Sequence, residues 1–123
     1  MPPLTILYAE DNTVLMLNVT EMLEEEGWRV DACLDGTTAL EKIESRRDYD
    51  LLLLDNNLPG VSGLELVYRA RSLAHRQLTP IIVLSATEVG REARRVGASL
   101  FLKKTENIHE IVEHIVKLAG QQS

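Results

Sequence analysis

Leu51-Leu52-Leu53-Leu54-Asp55 is an unbroken apolar tetrad that follows Asp50 and ends on a second carboxylate. A strand with one wet face alternates apolar and polar residues, so four consecutive leucines point to a strand covered on both faces. Downstream, Pro59-Gly60 makes a turn, and Ser62 with Glu65 forms a capping box that opens a helix to about Ala74. Thr79-Pro80-Ile81-Ile82-Val83-Leu84 repeats the buried-strand signature. A helix from Thr87 to Val96 follows, stopped by Gly97, and then a last strand, Ser99-Leu100-Phe101-Leu102. Ile108, Ile111, Val112, Ile115 and Leu118 mark a closing amphipathic helix. Upstream of the tetrad, Thr38 and Glu41 read as another capping box, for a helix to about Arg46. Before it, Trp28 to Leu34 alternates like a half-exposed edge strand, and Asp35-Gly36 reads as a plain turn. Val14, Leu15, Val19, Met22 and Leu23 have helical spacing up to Gly27, and Leu4-Thr5-Ile6-Leu7-Tyr8-Ala9 is a first strand that ends at Glu10-Asp11. Strands alternating with helices across short connections predict an α/β chain with a five-stranded parallel sheet and helices on both faces. The two all-apolar strands belong at its centre.

The whole chain, residues 1–123, reads as one domain, long enough to hide roughly two-thirds of its unfolded surface without metals or crosslinks. Apolar residues make up 45% and charged residues 26%, which excludes disorder and collagen-like repeats. Apolar runs reach only four residues, as in Leu51–Leu54, far short of the ~20 a membrane span needs. Met1-Pro2-Pro3 begins no signal peptide, and the single cysteine, Cys33, forms no internal disulfide, so a cytoplasmic setting is expected. A net charge of −6 disfavours bulk attraction to nucleic acid or to an anionic membrane.

In open parallel sheets the chemistry collects outside the carboxyl ends of the strands. The first strand ends in Glu10-Asp11, the third in Asp55, the fourth in Ser85 and the fifth in Lys103-Lys104. If these strands are neighbours, three carboxylates, a hydroxyl and an ammonium share one rim. Two like charges about 4 Å apart at an effective dielectric near 20 repel by roughly 4 kcal/mol, so such a cluster calls for a compensating cation. All the ligands are hard oxygens, which suits Mg²⁺; zinc would want His or Cys. A metal with open positions beside a carboxylate, a hydroxyl and a lysine suits a phosphoryl group, with the carboxylate as nucleophile. Taken singly, each residue has an ordinary explanation: a helix cap, a turn, a solvated lysine. The signal lies in the set.

These residues resemble the receiver domain of two-component response regulators, and the resemblance covers essentially the whole chain. Its motifs are Glu10-Asp11, the apolar run into Asp55, Leu58-Pro59-Gly60 with Ser62-Gly63, Leu84-Ser85-Ala86, and Gly97-Ala98 leading through Phe101 to Lys104. The family implies a flavodoxin-like, doubly wound sheet of strand order 2-1-3-4-5. It implies that Asp55 accepts a phosphoryl group from a sensor histidine kinase or a histidine phosphotransfer protein. By the same resemblance Asp11 and Asp55 bind Mg²⁺ directly, Glu10 acts through water, and Asn57 offers its backbone carbonyl. Ser85 and Lys104 contact the phosphoryl oxygens. Ser85 and Phe101 then form the switch that remodels the face made by the fourth helix, fifth strand and fifth helix, where a second copy or an effector domain docks. Such a domain catalyses its own phosphoryl transfer and autodephosphorylation without being a conventional enzyme. The rival reading is a receiver-like interaction module that takes no phosphate.

Four positions depart from the usual pattern. Thr105 stands where members usually carry a proline, often in a cis bond. Phe101 replaces a frequent tyrosine, which leaves a packing switch, and Glu10-Asp11 replaces a double aspartate. The segment from Ser85 to Gly97 is about one helical turn short, and Gly90 inside its helix predicts a short, mobile element with atypical partner recognition. Other motifs lead nowhere. His109-Glu110 and His114 are spaced one residue too far for a zinc-protease pair, and no phosphate-binding glycine loop exists. Glu24-Glu25-Glu26 reads as a solvated face, and Arg91, Arg94 and Arg95 complement the end of the fourth helix.

Overall fold

The computed structural model describes residues 3–104 and 108–120. Strands β1 (Thr5–Ala9), β2 (Arg29–Cys33), β3 (Leu51–Asp55), β4 (Ile81–Ser85) and β5 (Leu100–Lys103) alternate with helices α1 (Thr13–Glu24), α2 (Gly36–Glu44), α3 (Gly63–Arg71), α4 (Gly90–Val96) and α5 (Ile111–Gly120). All strand pairs are parallel, in the order β2-β1-β3-β4-β5. The fold class and strand order are those expected, with the two all-apolar strands inside the sheet.

Alternation along the buried strands divides the leucine tetrad between two cores. Leu52 and Leu54, with Leu7, Ile81 and Val83, pack against Ala39 and Ile43 of α2, Leu66, Val67 and Ala70 of α3, and Ala93 of α4. Leu51 and Leu53 face the other way, with Ile6, Tyr8, Ile82, Leu84 and Leu102, onto Val19 and Leu23 of α1 and Ile111 and Ile115 of α5. At the edge, β2 is only half-buried, as its alternation predicts.

The helix ends require corrections. Thr38 does not cap α2. Asp35 is the N-cap, accepting from the Thr38 amide at 2.6 Å and the Thr38 hydroxyl at 3.0 Å, so Asp35-Gly36 opens a helix rather than forming a plain turn. Two acceptor oxygens on Asp35 outcompete a hydroxyl three residues later. Ser62 does cap α3, its Oγ accepting from the Glu65 amide at 3.2 Å, but that helix stops at Arg71 and a 3-10 turn at Ala74–Arg76 follows. Helix α4 starts at Gly90, not Thr87, so Gly90 is its first residue and not a weak point in its interior. Its brevity, seven residues, is as expected, and Gly97 ends it at φ 113°. Thr105 lies outside the described residues.

Two arginines bind the helix ends from within. Arg76, almost fully buried, donates to the carbonyls of Lys42, Ile43, Ser45 and Arg47 around the end of α2, and stacks 5.0 Å from the Tyr49 ring. Arg71 donates to the Gly97 carbonyl at 2.9 Å and to those of Arg76 and Thr79, joining α3 to the end of α4. Planar guanidinium groups suit this work because their N–H fork reaches several carbonyls at once.

Candidate functional site

Parallel strands bring all their carboxyl ends to one rim, and register sets what meets there. Ala9 pairs with Leu54, so Glu10 and Asp55 leave their strands one step beyond it, side by side. Ser85 pairs with Lys103, which places Lys104 one residue further out. Glu10, Asp55 and Lys104 continue the face that carries Tyr8, Leu53 and Leu102, whereas Ser85 and Phe101 belong to the opposite face.

The carboxylates of Glu10, Asp11 and Asp55 lie within 4.8 Å of one another. Glu10 and Asp55 are buried and Asp11 is exposed. Lys104 is the cation among them. Its Nζ donates to Glu10 Oε2 at 3.0 Å and forms ion pairs with Glu10 Oε1 at 2.8 Å and Asp55 Oδ2 at 3.2 Å. Those last two oxygens receive no hydrogen bond of good geometry. Burial pushes the Glu10 carboxyl above its usual range; hydrogen bonds from Lys104 and Asn12 oppose this, and the charge of Asp55 adds to it. Burial alone would lower the Lys104 ammonium, but the hydrogen bond to Glu10 and the charges of Asp55 and Glu10 outweigh it and raise it. Three carboxylates against one ammonium leave a net negative site of hard oxygens, two of them buried and held only by ion pairs to Lys104 without a hydrogen bond of good geometry. That donor set fits a divalent cation of the Mg²⁺ class.

The loops fix these side chains locally. Asn12 donates its amide to Glu10 Oε2 at 3.1 Å and caps α1 by accepting from Leu15 at 3.1 Å, so the helix start and the acid are set by one residue. After β3, Asn56 accepts from the Gly63 amide through its carbonyl and from the Leu64 amide through Oδ1, both at 3.1 Å. A Cβ on Gly63 would collide with the Asp55 carbonyl, so glycine is what allows α3 to begin against the acid. Asn57, exposed, donates its amide to Asp55 Oδ1 at 3.2 Å. Ser85 is buried, and its Oγ bonds the Thr87 hydroxyl and the Thr87 amide, both at 3.2 Å, rather than the acids. Phe101 is half-buried beside Gly90 and lines a groove with Glu88, Arg91 and Arg94.

Glu10, Asp11, Asp55 and Lys104 thus converge, while Ser85, Asn57 and Phe101 stand around them in contacts of their own. Sequence reading missed Asn12, Asn56 and Thr87 as supports, and Tyr8, whose hydroxyl is buried beneath the acids. An Asn directly before Thr13-Val14-Leu15 is a cap signal that was there to find. Elsewhere, His114 of α5 pairs at 3.5 Å with Glu110, the residue just before that helix, as an ordinary surface pair. Burial raises the Cys33 thiol to about 11, which makes it a packing residue. No helix among the described residues is long and apolar enough to cross a membrane.

A family model described as response regulator receiver domain matches residues 6–116. The chain is 36% identical over 115 residues to the phosphate regulon transcriptional regulatory protein PhoB of Rhizobium meliloti, an alignment that takes in 89% of this chain and 49% of that protein. It spans about half the length of the first curated relatives it matches. Among solved structures, the receiver domain of a Francisella response regulator superposes with a TM-score of 0.88 at 27% identity, covering 98% of this chain and 99% of that one. The receiver domain of a sensor histidine kinase from Pseudomonas aeruginosa PAO1 superposes with a TM-score of 0.85 at 30% identity, covering 96% and 98%; it is described with a magnesium ion coordinated in its active site cleft.

Proposed function

The chain belongs to the response regulator receiver domains of two-component signalling, and on that premise we propose that Asp55 is its phosphoryl acceptor. The observation that carries the reading is the convergence of Glu10, Asp11 and Asp55 within 4.8 Å, with Lys104 bridging Glu10 and Asp55. Asp55 is buried, its Oδ1 accepts from the Asn57 amide, and its Oδ2, which receives no hydrogen bond of good geometry, is left to act as the nucleophile. That oxygen forms a bond to phosphorus as the donor's bond to phosphorus breaks. The donor is a phosphohistidine on a sensor kinase or phosphotransfer protein, or a small acyl phosphate, and its leaving group departs on the far side.

Asp11 and Asp55 would hold Mg²⁺ directly and Glu10 through water, and the Asn57 carbonyl would complete the protein's share. When bound, the ion supplies charge neutralisation for the attacking carboxylate and the phosphoryl oxygens. Lys104 turns from the acids to one phosphoryl oxygen. Ser85 leaves Thr87 for another, and the space it vacates on the α4 side is taken up by Phe101. The output is a change in the α4-β5-α5 face, which a second copy or an effector domain reads.

Intact mass after incubation with acetyl phosphate and MgCl₂ tests the assignment. One phosphoryl adduct is expected on the wild type, none on Asp55→Ala and none with chelator. A folded wild type with no adduct from acetyl phosphate or from a phosphorylated histidine donor would make the chain an interaction module without phosphate chemistry.

A further inference from the structure

Three buried side-chain atoms among the described residues lack a hydrogen-bond partner: the Tyr8 hydroxyl, Glu10 Oε1 and Asp55 Oδ2. Two are acceptors and one is a donor, and all three lie at the same end of the same sheet face. Packing does not call for the hydroxyl. Tyr8 is fully buried among Ile6, Leu53, Val19 and Ile115, where phenylalanine would fill the space without an unsatisfied polar atom.

Residues i and i+2 of a strand share a face, so Tyr8 and Glu10 leave β1 on the side that also carries Asp55 and Lys104. The Tyr8 hydroxyl, buried and without a hydrogen-bond partner, is a donor free to serve these acids. In the resting site Glu10 is served by Lys104 and the Asn12 amide. Once Asp55 carries a phosphoryl group, Lys104 has a second anion to follow, and Glu10 loses part of the side-chain donor it has among the described residues while remaining buried.

We propose that Tyr8 is a positioning residue of the phosphoryl-transfer site, its hydroxyl taking over Glu10 as Lys104 turns to the phosphoryl group. The inference rests on Asp55 as acceptor. Its role is to lower the cost of releasing Lys104 and so to favour the phosphorylated state over the resting one. A hydrogen bond to a buried carboxylate corresponds to about tenfold in an equilibrium constant, or somewhat more.

Tyr8→Phe removes only the hydroxyl. With beryllofluoride and MgCl₂ as the phosphoryl mimic, the variant is expected to bind the mimic about tenfold more weakly than wild type. Its thermal midpoint without ligands should stay level or rise, because the deleted group had no partner. In wild-type protein carrying ¹³Cζ-tyrosine, the Tyr8 resonance should shift when beryllofluoride binds. Equal affinity of wild type and variant overturns the proposal, and so does a Tyr8 resonance that does not move. A lowered resting midpoint with unchanged affinity makes Tyr8 a packing residue and also overturns it. If the wild type binds no beryllofluoride, the acceptor assignment fails first and this inference with it.

Discussion

Asp11 is the exposed member of the three-carboxylate cluster, and it shows how the site sets function against stability. Two unit charges 4.8 Å apart repel by roughly 3.5 kcal/mol at an effective dielectric near 20, and solvent at Asp11 reduces this to about 1 kcal/mol. Asp11→Asn is therefore expected to raise resting stability by about 1 kcal/mol and to weaken Mg²⁺ binding more than tenfold. Urea unfolding with and without MgCl₂ reads both effects, and a variant less stable than wild type without divalent ions would show that the acids do not repel. Glu10 and Asp31 act in opposite directions with pH. The Glu10 carboxyl is raised, so the folded chain holds a proton that the unfolded chain gives up, and resting stability falls as pH climbs just above the ordinary glutamate range. For Asp31, burial raises the carboxyl, but hydrogen bonds from Lys42 at 2.5 Å and Tyr49 at 2.6 Å, with the charges of Lys42 and Arg47, hold it below its ordinary 3.8. Its contribution is complete above that value and disappears as pH falls through the lowered one. Asp31→Asn should cost about 1 kcal/mol at neutral pH, and the gap to wild type should close in strong acid. A gap that persists unchanged at low pH would assign the loss to packing instead.

Among the elements, α4 is the weakest by construction. It has seven residues, buries only Ala93, and its N-cap Val89 has no side-chain hydrogen bond. Helices shorter than ~12 residues rarely hold themselves, so α4 depends on its neighbours. Its C-terminus is tied by Arg71 to α3, and Gly97 turns the chain in a left-handed conformation that also leaves room for Arg71. A Cβ at Gly97 would lie 2.7 Å from Arg71 Cγ as well as sit at φ 113°, so Gly97→Ala should cost about 1–2 kcal/mol, read by chemical denaturation. Amides of α4 should exchange hydrogen faster than those of α5; equal protection would show that the Arg71 tie is sufficient. Arg76 holds α2 in a comparable way. Arg76→Ala leaves several buried carbonyls without a donor and should cost about 3 kcal/mol, with Arg76→Lys recovering little because an ammonium lacks the planar fork. These ties were not legible in the sequence. An arginine in a polar segment reads as surface, and nothing local says that its partners lie about thirty residues away. Ser62 and Gly97 were legible because their partners are neighbours in the chain. Asp35 was hidden by Thr38, which carries a capping signal of its own three residues later.

For the molecule as a whole, the pattern of residues specified layers and faces but not neighbours. The leucine tetrad announces a strand covered on both sides, and the observed cores divide it accordingly. Strand order came only with the family resemblance, because periodicity says which way a side chain points and not which strand lies beside it. The same limit applies at the site. Four strand ends were correctly gathered on one rim, but that Lys104 shares a face with Glu10 and Asp55 while Ser85 and Phe101 share the other follows from the β4-β5 register. On the proposed reading this division would give the switch its direction: a charge gained on one face at Asp55 would have to draw Ser85 across from the other, where Phe101 packs. Phe101 is the only phenylalanine in the chain, so biosynthetic fluorophenylalanine labels it uniquely. Its ¹⁹F resonance should move when beryllofluoride and MgCl₂ are added, and should not move for Asp55→Asn. Gly90→Ala tests the mechanical part, because its Cβ would come within 3.2 Å of the Phe101 ring edge and 2.7 Å of the Glu88 carboxylate that accepts from the residue 90 amide. Crowding there should shift the resting resonance and shrink the change on adding the mimic, while affinity for the mimic changes less than tenfold. A full shift in Gly90→Ala would mean that the ring moves away from α4, and that the groove lined by Arg91 and Arg94 is not what the phosphoryl group remodels.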